Sequence, residues 1–281
     1  MNLSDQLKQH HITLKKKFGQ NFLSDPALLG RIADVCHWEE GDKVLEIGPG
    51  AGALTAALSS RAKQVLAIEI DKSLAPLLKD NLSALDNVSL VFGDALTTDL
   101  DALMESELGE TGRYKLVANL PYYITTPLIM HVLEDMNRVD ELVIMVQKEV
   151  ADRLCAKPGG RTYGAVTVMV QYLCEASCAF DVGRKAFTPP PDVDSTILHL
   201  VPYKERPIQA KDDKMLRRTV KAAFSQRRKT LRNALSSIGL PKDAIATALE
   251  SAAIDGTRRA ESLSVAEFVT LSDAFSALED K

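Results

Sequence analysis

Apolar residues run almost without interruption through five short segments rich in β-branched side chains: Lys43–Ile47, Val65–Ile70, Val88–Phe92, Lys115–Asn119 and Glu141–Gln147. Continuous rather than alternating apolar character marks parallel strands covered on both faces. Between them lie stretches with amphipathic helical spacing, for instance Ser73–Ala84 and Thr126–Met136. The second opens on Thr-Pro, which predicts Thr126 as N-cap and Pro127 at the first helical position. Strand and helix in alternation predict an α/β fold with a doubly wound sheet. After Ala151 the rhythm changes to a Gly-containing loop, then YGAVTVMVQYLCE, then FTPPPDVDSTILHLVPY, in which Ser195–Val201 reads as a late strand. From about Pro207 only helical segments follow, with Gly239-Leu240-Pro241 as a helix stop and restart. The composition shifts between Tyr203 and Gln209. The expected organisation is a basic arm over 1–17, an α/β domain over 18–205 and a small all-α domain over 206–281.

The 281 residues are 46% hydrophobic and 26% charged, which excludes a disordered chain, a collagen-like repeat and a disulfide scaffold. The longest apolar run, Leu142–Val146, is five residues, against about 20 for a membrane span. The first residues lack the apolar core of a signal peptide. Cys36, Cys155, Cys174 and Cys178 include no C-x-x-C pair and no spaced His partner. They read as free thiols of a reducing cytoplasm, with no metal.

A formal charge of −4 argues against a nucleic-acid partner. Its distribution argues the other way. Residues 203–232 hold eleven Lys/Arg and three acids, a local +8, so the other 251 residues carry −12. Arg217, Lys221, Arg228 and Arg232 are spaced by four, seven and four residues, and Arg218, Arg227 and Lys229 stand among them. This predicts a basic helix gripping phosphates, set against the plainer reading of a solvated helix face. Lys15–Lys17 form a second basic cluster.

The segment VLEIGPGAGALTAAL places Gly48, Gly50 and Gly52 between a strand and a helix. Glycines there permit a tight turn and close approach of a ligand to the main chain, as nucleotide sites require. The spacing is G-x-G-x-G rather than the G-x-G-x-x-G of dinucleotide sites. Glu69 ends the second strand, where an acid can accept from ribose hydroxyls, and Asp94 follows the third, where an acceptor can meet an adenine amino group. After the fourth strand, Asn119-Leu120-Pro121-Tyr122 sets a side-chain oxygen beside a main-chain carbonyl. Two adjacent acceptors can hold both N–H bonds of an exocyclic amine while Tyr122 stacks on its ring. Such a site works by positioning and aimed dipoles and needs no strong base. The one nearby histidine is His131, on the following helix.

FGQNFL, EIGPGAGALT, GDAL, NLPYYITTPL, QKEVADR and FTPPPDVDS, in this order, resemble the ribosomal RNA adenine N6,N6-dimethyltransferases, most of all their bacterial small-subunit (16S) members. The resemblance implies a Rossmann-like, S-adenosylmethionine-dependent sheet of seven strands with the last antiparallel. It implies a cofactor site lined by Asn21, Leu23, Gly48, Glu69, Asp94 and Asn119. Asn119, Leu120 and Tyr122 would present the adenine, and Phe187, stiffened by Pro189–Pro191, would stack on its other face. The implied donor is S-adenosyl-L-methionine without a metal. The implied partner is 16S rRNA of the small ribosomal subunit, met by a monomer free of membrane. Two adjacent adenosines of the 3′-terminal hairpin loop would each be methylated twice, with a part in small-subunit biogenesis. Three alternatives stand beside this: a large-subunit methylase of the macrolide-resistance type, an assembly factor that mainly binds immature subunits, and a nicotinamide dehydrogenase, which the glycine spacing disfavours.

Overall fold

A computed structural model describes residues 3–12, 21–109 and 112–279, so Lys15–Lys17 lie outside the described residues. The chain divides into two compact units, Met1–Ala151 with Ser177–Pro202, and Asp152–Ala176 with Tyr203–Lys281. The chain order is α1 (Leu3–Gln9), β1 (Phe22–Leu23), α2 (Pro26–Ala33), β2 (Lys43–Ile47), α3 (Ala53–Ser59), β3 (Gln64–Glu69), α4 (Ala75–Leu82) and β4 (Val88–Phe92). It continues with α5 (Leu100–Leu108), β5 (Tyr114–Asn119), α6 (Tyr122–Asp135), β6 (Val139–Gln147), α7 (Lys148–Leu154), α8 (Ala165–Leu173), β7 (Cys174–Val182), β8 (Phe187–Thr188) and β9 (Ser195–Pro202).

Seven strands form one sheet in the order β4-β3-β2-β5-β6-β9-β7. From β4 to β6 every pairing is parallel, and β9 then runs antiparallel to β6 with His199 opposite Val143. Val117, Val143 and Ile197 on one face pack against Leu29, Ile32, Leu54 and Leu58 of α2 and α3. Burial on both faces explains why these strands read as unbroken apolar runs. Parallel order also sends the loops after β2, β3, β4 and β5 out at one edge. Among the described residues no helix is long and apolar enough to cross a membrane.

Two local expectations are corrected. The helix after β5 begins at Tyr122, with Pro121 before it at φ −54°, so Thr126 is not an N-cap and Pro127 lies inside the helix. Pro121 already has the φ that starts a helix, and this brings the first turn of α6 to the ligand edge. The basic segment is likewise not one helix. In the second unit α9 (Asp213–Ala223) ends at Phe224, α10 (Leu231–Ala234) follows, and α11 (Lys242–Ser251) and α12 (Val265–Glu279) complete it. Arg217, Arg218 and Lys221 are on α9; Arg227, Arg228 and Lys229 are in the turn after it. At the break the Phe224 ring lies in an aromatic row, 6.2 Å from Tyr163 and 5.7 Å from Phe268. Gly239, at φ +86°, provides the stop before α11.

Segment Asp152–Ala176, assigned from sequence to the α/β part, packs with the second unit. The reason is chemical: α8 is apolar over most of its surface, and Tyr172 donates to Asp213 at 2.6 Å while accepting from Arg206 and the Ala210 N–H. Arg218 is committed within this unit. Its Nε and Nη2 donate to the Ile238 carbonyl at 2.9 and 2.6 Å, and Nη1 pairs with Glu279 at 2.6 Å. Arg218→Ala leaves that carbonyl bare and should lower unfolding free energy by about 1–2 kcal/mol, with little from the half-exposed ion pair. Denaturant melts of the variant measure this, and an unchanged midpoint would assign Arg218 no structural role.

Candidate active site

The glycine turn after β2 is built by backbone conformation. Gly48, Gly50 and Gly52 stand at φ +73°, +60° and +82°, a region costly for other residues. Space excludes side chains too: a Cβ on Gly48 would lie 2.9 Å from Leu120 Cδ2, and one on Gly50 would lie 3.0 Å from Phe22. Gly52 accepts the Ala56 N–H and opens α3.

Glu69 ends β3 and bridges to this turn. Its Oε2 accepts the Gly50 N–H at 3.2 Å and its Oε1 the Asp71 N–H at 2.8 Å, which leaves further lone pairs on both oxygens. Burial raises its pKa, and these N–H groups partly offset the rise. Asp94, after β4, turns its own loop by accepting the Leu96 N–H at 3.0 Å. Asn119 ends β5, Leu120 is buried, and Tyr122 opens α6 with its hydroxyl 2.8 Å from Ser195 Oγ, which fixes the ring.

Phe187 and Leu23 are opposite each other in a two-stranded antiparallel ribbon of β1 and β8, which also pairs Phe22 with Thr188. That pairing brings two distant sequence motifs to one place. These residues surround a single cavity of about 250 Å³, lined among others by Asn21, Leu23, Gly48, Glu69, Asp94, Asn119, Leu120, Tyr122 and Phe187. All nine catalytic and cofactor residues expected from sequence thus line one cavity.

Two features were not expected. Phe22 packs over Gly50 and lines the cavity, unsignalled in sequence because a two-residue strand has no periodicity. Glu46 of β2 is 1% exposed and lines the cavity with Oε2 unpartnered among the described residues. Burial pushes its carboxyl up to about 8, and the nearby charge of Glu69 adds to this. An acid inside an apolar run was the available signal.

The electrostatics decide what the cavity can hold. Its described lining includes Glu46, Glu69 and Asp94 but no Lys, Arg or His. Among the described residues a pyrophosphate would meet the Glu69 and Asp94 carboxylates and no cation, and the Gly50 N–H that it would need is taken by Glu69. A cationic nucleoside suits the same set. His131 is turned elsewhere, to Asp135 at 2.8 Å, so no histidine serves the cavity as a base.

The model of the ribosomal RNA adenine dimethylases matches residues 11–277. The chain belongs to this family. It is 47% identical over 270 residues to the ribosomal RNA small subunit methyltransferase A of Moorella thermoacetica, covering 95% of this chain and 94% of that protein. Against the protein of the same name from Geobacillus thermodenitrificans it is 44% identical over 277 residues, covering 97% and 94%. Among solved structures it resembles a dimethyladenosine transferase from Plasmodium falciparum (TM-score 0.75, 27% identity, 89% and 95% covered) and the 23S rRNA methyltransferase ErmE (TM-score 0.71, 28%, 91% and 100%).

In this ribosomal RNA adenine dimethylase, Glu46 makes folding stability depend on pH in a set direction. The folded chain keeps a proton that the unfolded chain releases, so Glu46 lowers stability as pH rises from its ordinary 4.5 towards about 8. Glu46→Gln removes that loss. Its melting temperature relative to the parent should climb between pH 5 and pH 8, by up to a few kcal/mol of stability. A difference flat across that range would show that Glu46 titrates normally.

Proposed function

We propose that this dimethylase transfers methyl groups from S-adenosyl-L-methionine to N6 of two adjacent adenosines in the 3′-terminal hairpin loop of 16S rRNA. We take it to act as a cytoplasmic monomer that also serves small-subunit biogenesis. The observation that carries the reading is the cavity whose described lining holds Glu69 and Asp94 but no Lys or Arg, with the Asn119-Leu120-Pro121-Tyr122 turn at its wall.

The residues fit the donor. Glu69 has lone pairs left for ribose hydroxyls, Asp94 offers an acceptor for the adenine amine, and Phe22, Leu23 and Phe187 supply apolar wall. When bound, the donor supplies a methyl group already activated by a sulfonium leaving group. The protein's task is then to shape and aim the nucleophile. The N6 lone pair of adenine is delocalised into the ring. The Asn119 side-chain oxygen and the Leu120 carbonyl accept its two N–H bonds, which favours a pyramidal nitrogen with its lone pair free. Tyr122, anchored on Ser195, stacks on the base, and Phe187 meets the other face. The proton lost after transfer passes to water, so the step asks for no resident base. A loop adenosine is already partly unstacked, which lowers the cost of extruding it.

The similarity favours the small subunit over the large: 44–47% identity to the small-subunit enzymes against 28% to ErmE. A second reading, in which binding of immature subunits is the main role, rests on the basic surface of the second unit. Lys221, Arg228 and Lys229 are exposed there.

Labelled donor and unmethylated small subunits test the activity. The parent should incorporate label, and Asn119→Ala should slow incorporation by about 10²–10³-fold, the usual effect of losing one aimed dipole. No incorporation by the parent refutes the reading, and incorporation into the large subunit alone transfers it to the macrolide-resistance type. Binding tests the basic surface. Replacing Lys221, Arg228 and Lys229 by Ala should weaken subunit binding and flatten its salt dependence, by roughly one unit of log–log slope for each phosphate no longer neutralised. An unchanged slope removes these residues from the RNA interface.

A further inference from the structure

At the opposite edge of the sheet, where the parallel strands begin, the register assembles a row of ionisable side chains. Lys115 of β5 is directly paired with Glu141 of β6. His199 of β9 faces Val143, two residues along from Glu141, so Glu141 and His199 are diagonal neighbours on one face. His37, in the loop after α2, closes the row from above. Glu141 is the centre, and its two oxygens are used differently. Oε1 accepts from Lys115 at 3.1 Å, and Lys115 also pairs with Asp42 at 3.3 Å. Among the described residues Oε2 faces nitrogens of His37 and His199: Nε2 of His199 at 2.8 Å, and Nδ1 and the backbone N–H of His37 at 3.2 Å each.

We propose that His37 Nδ1, Glu141 Oε2 and His199 Nε2 form a binding site for a divalent transition-metal ion, of which zinc is the best matched. The three atoms lie within 4.8 Å of one another. Ligands about 2.1 Å from a tetrahedral ion stand about 3.4 Å apart, so the His37–Glu141 separation of 3.2 Å has to open by about 0.2 Å and the His199–Glu141 separation of 2.8 Å by about 0.6 Å. His37, with 79% of its side chain exposed, has room to shift and gives an ion a way in. Two imidazoles and one carboxylate are a donor set suited to zinc, with a fourth position left for water.

The surroundings orient the ligands. Lys115 holds the free oxygen of Glu141 and is itself held by Asp42, the kind of outer support that fixes a metal-binding carboxylate. With neutral imidazoles, Asp42, Glu141 and Lys115 sum to −1, so a dication enters a net negative cluster. Burial would raise the Glu141 pKa, but bonds from His37, His199 and Lys115 more than reverse this and keep it ionised, as a ligand must be. The ion would pin the loop after α2 to β6 and β9, remote from the methyl-transfer chemistry. The residues stand at 37, 141 and 199, so no sequence spacing could announce them.

The test is calorimetric titration of the chelator-treated full chain with ZnCl₂. The parent should bind one ion per chain. His37→Ala, which removes an exposed side chain and leaves the fold intact, should weaken binding by at least about 100-fold, since even outer-shell changes cost 10–100-fold. His199→Gln, which keeps a donor to Glu141, should do the same while melting normally without zinc. Cys178→Ser, which removes an exposed thiol, should bind as the parent does. The proposal is overturned if the parent shows no stoichiometric binding, if His37→Ala binds undiminished, or if Cys178→Ser abolishes binding. Each of these outcomes would leave a hydrogen-bonded ionic cluster and no metal site.

Discussion

The Glu69 carboxylate, caught between the N–H groups of Gly50 and Asp71, is the interaction on which the ligand edge depends. It ties the loop after β2 to the end of β3, and it places a protein anion where a dinucleotide site would keep room for phosphate. The next contact is steric: Gly48 lets Leu120 approach so closely that a Cβ would sit 2.9 Å away. Through these two contacts the loops after β2, β3 and β5 set one another's position. The glycine turn, the end of β3 and the Asn119-Leu120 turn are therefore coupled in the backbone itself, ahead of any ligand.

Because that edge is fixed by carboxylates, its charge is part of its selectivity. Glu69 and Asp94 line a cavity without a described cation, while the exposed Lys and Arg side chains of residues 203–232 belong to the other unit. The two charge populations are thus sorted by unit. The formal −4 averages over both and describes neither.

Much of this was legible in sequence, for identifiable reasons. A strand buried on both faces is apolar along most of its length, so β2 and β5 could be placed to within a residue, and β4 by its own run of apolar side chains. Glycines at positive φ and a proline after Leu120 are local necessities, and they marked the turns at Gly48 and Asn119 directly. What failed depended on partners distant in the chain. Thr126-Pro127 has the local form of a helix start, but Pro121 had already begun the helix. Arg217 to Arg232 fit one helical face by spacing, yet α9 ends at Ala223 and Arg227 to Lys229 stand in a turn. Phe22 and the β1–β8 ribbon were invisible because two-residue strands exist only as pairs.

The two edges of the sheet manage buried charge in opposite ways, and the contrast explains where function resides. Where the parallel strands begin, charges compensate within the protein: Lys43 donates to the Leu108 carbonyl, and Lys115 lies between Asp42 and Glu141. Where the strands end, among the described residues, Glu46 holds its proton and keeps Oε2 without a partner, and Glu69 accepts from backbone N–H groups with no counter-ion beside it. A buried carboxylate without a counter-ion costs stability. It can persist in a folded chain when a ligand of opposite charge supplies what the protein withholds. Glu141 lies between these cases, with one oxygen matched by a lysine and the other facing two imidazoles that can give a proton or a lone pair. That divided environment separates it from the ordinary ion pairs at the same edge.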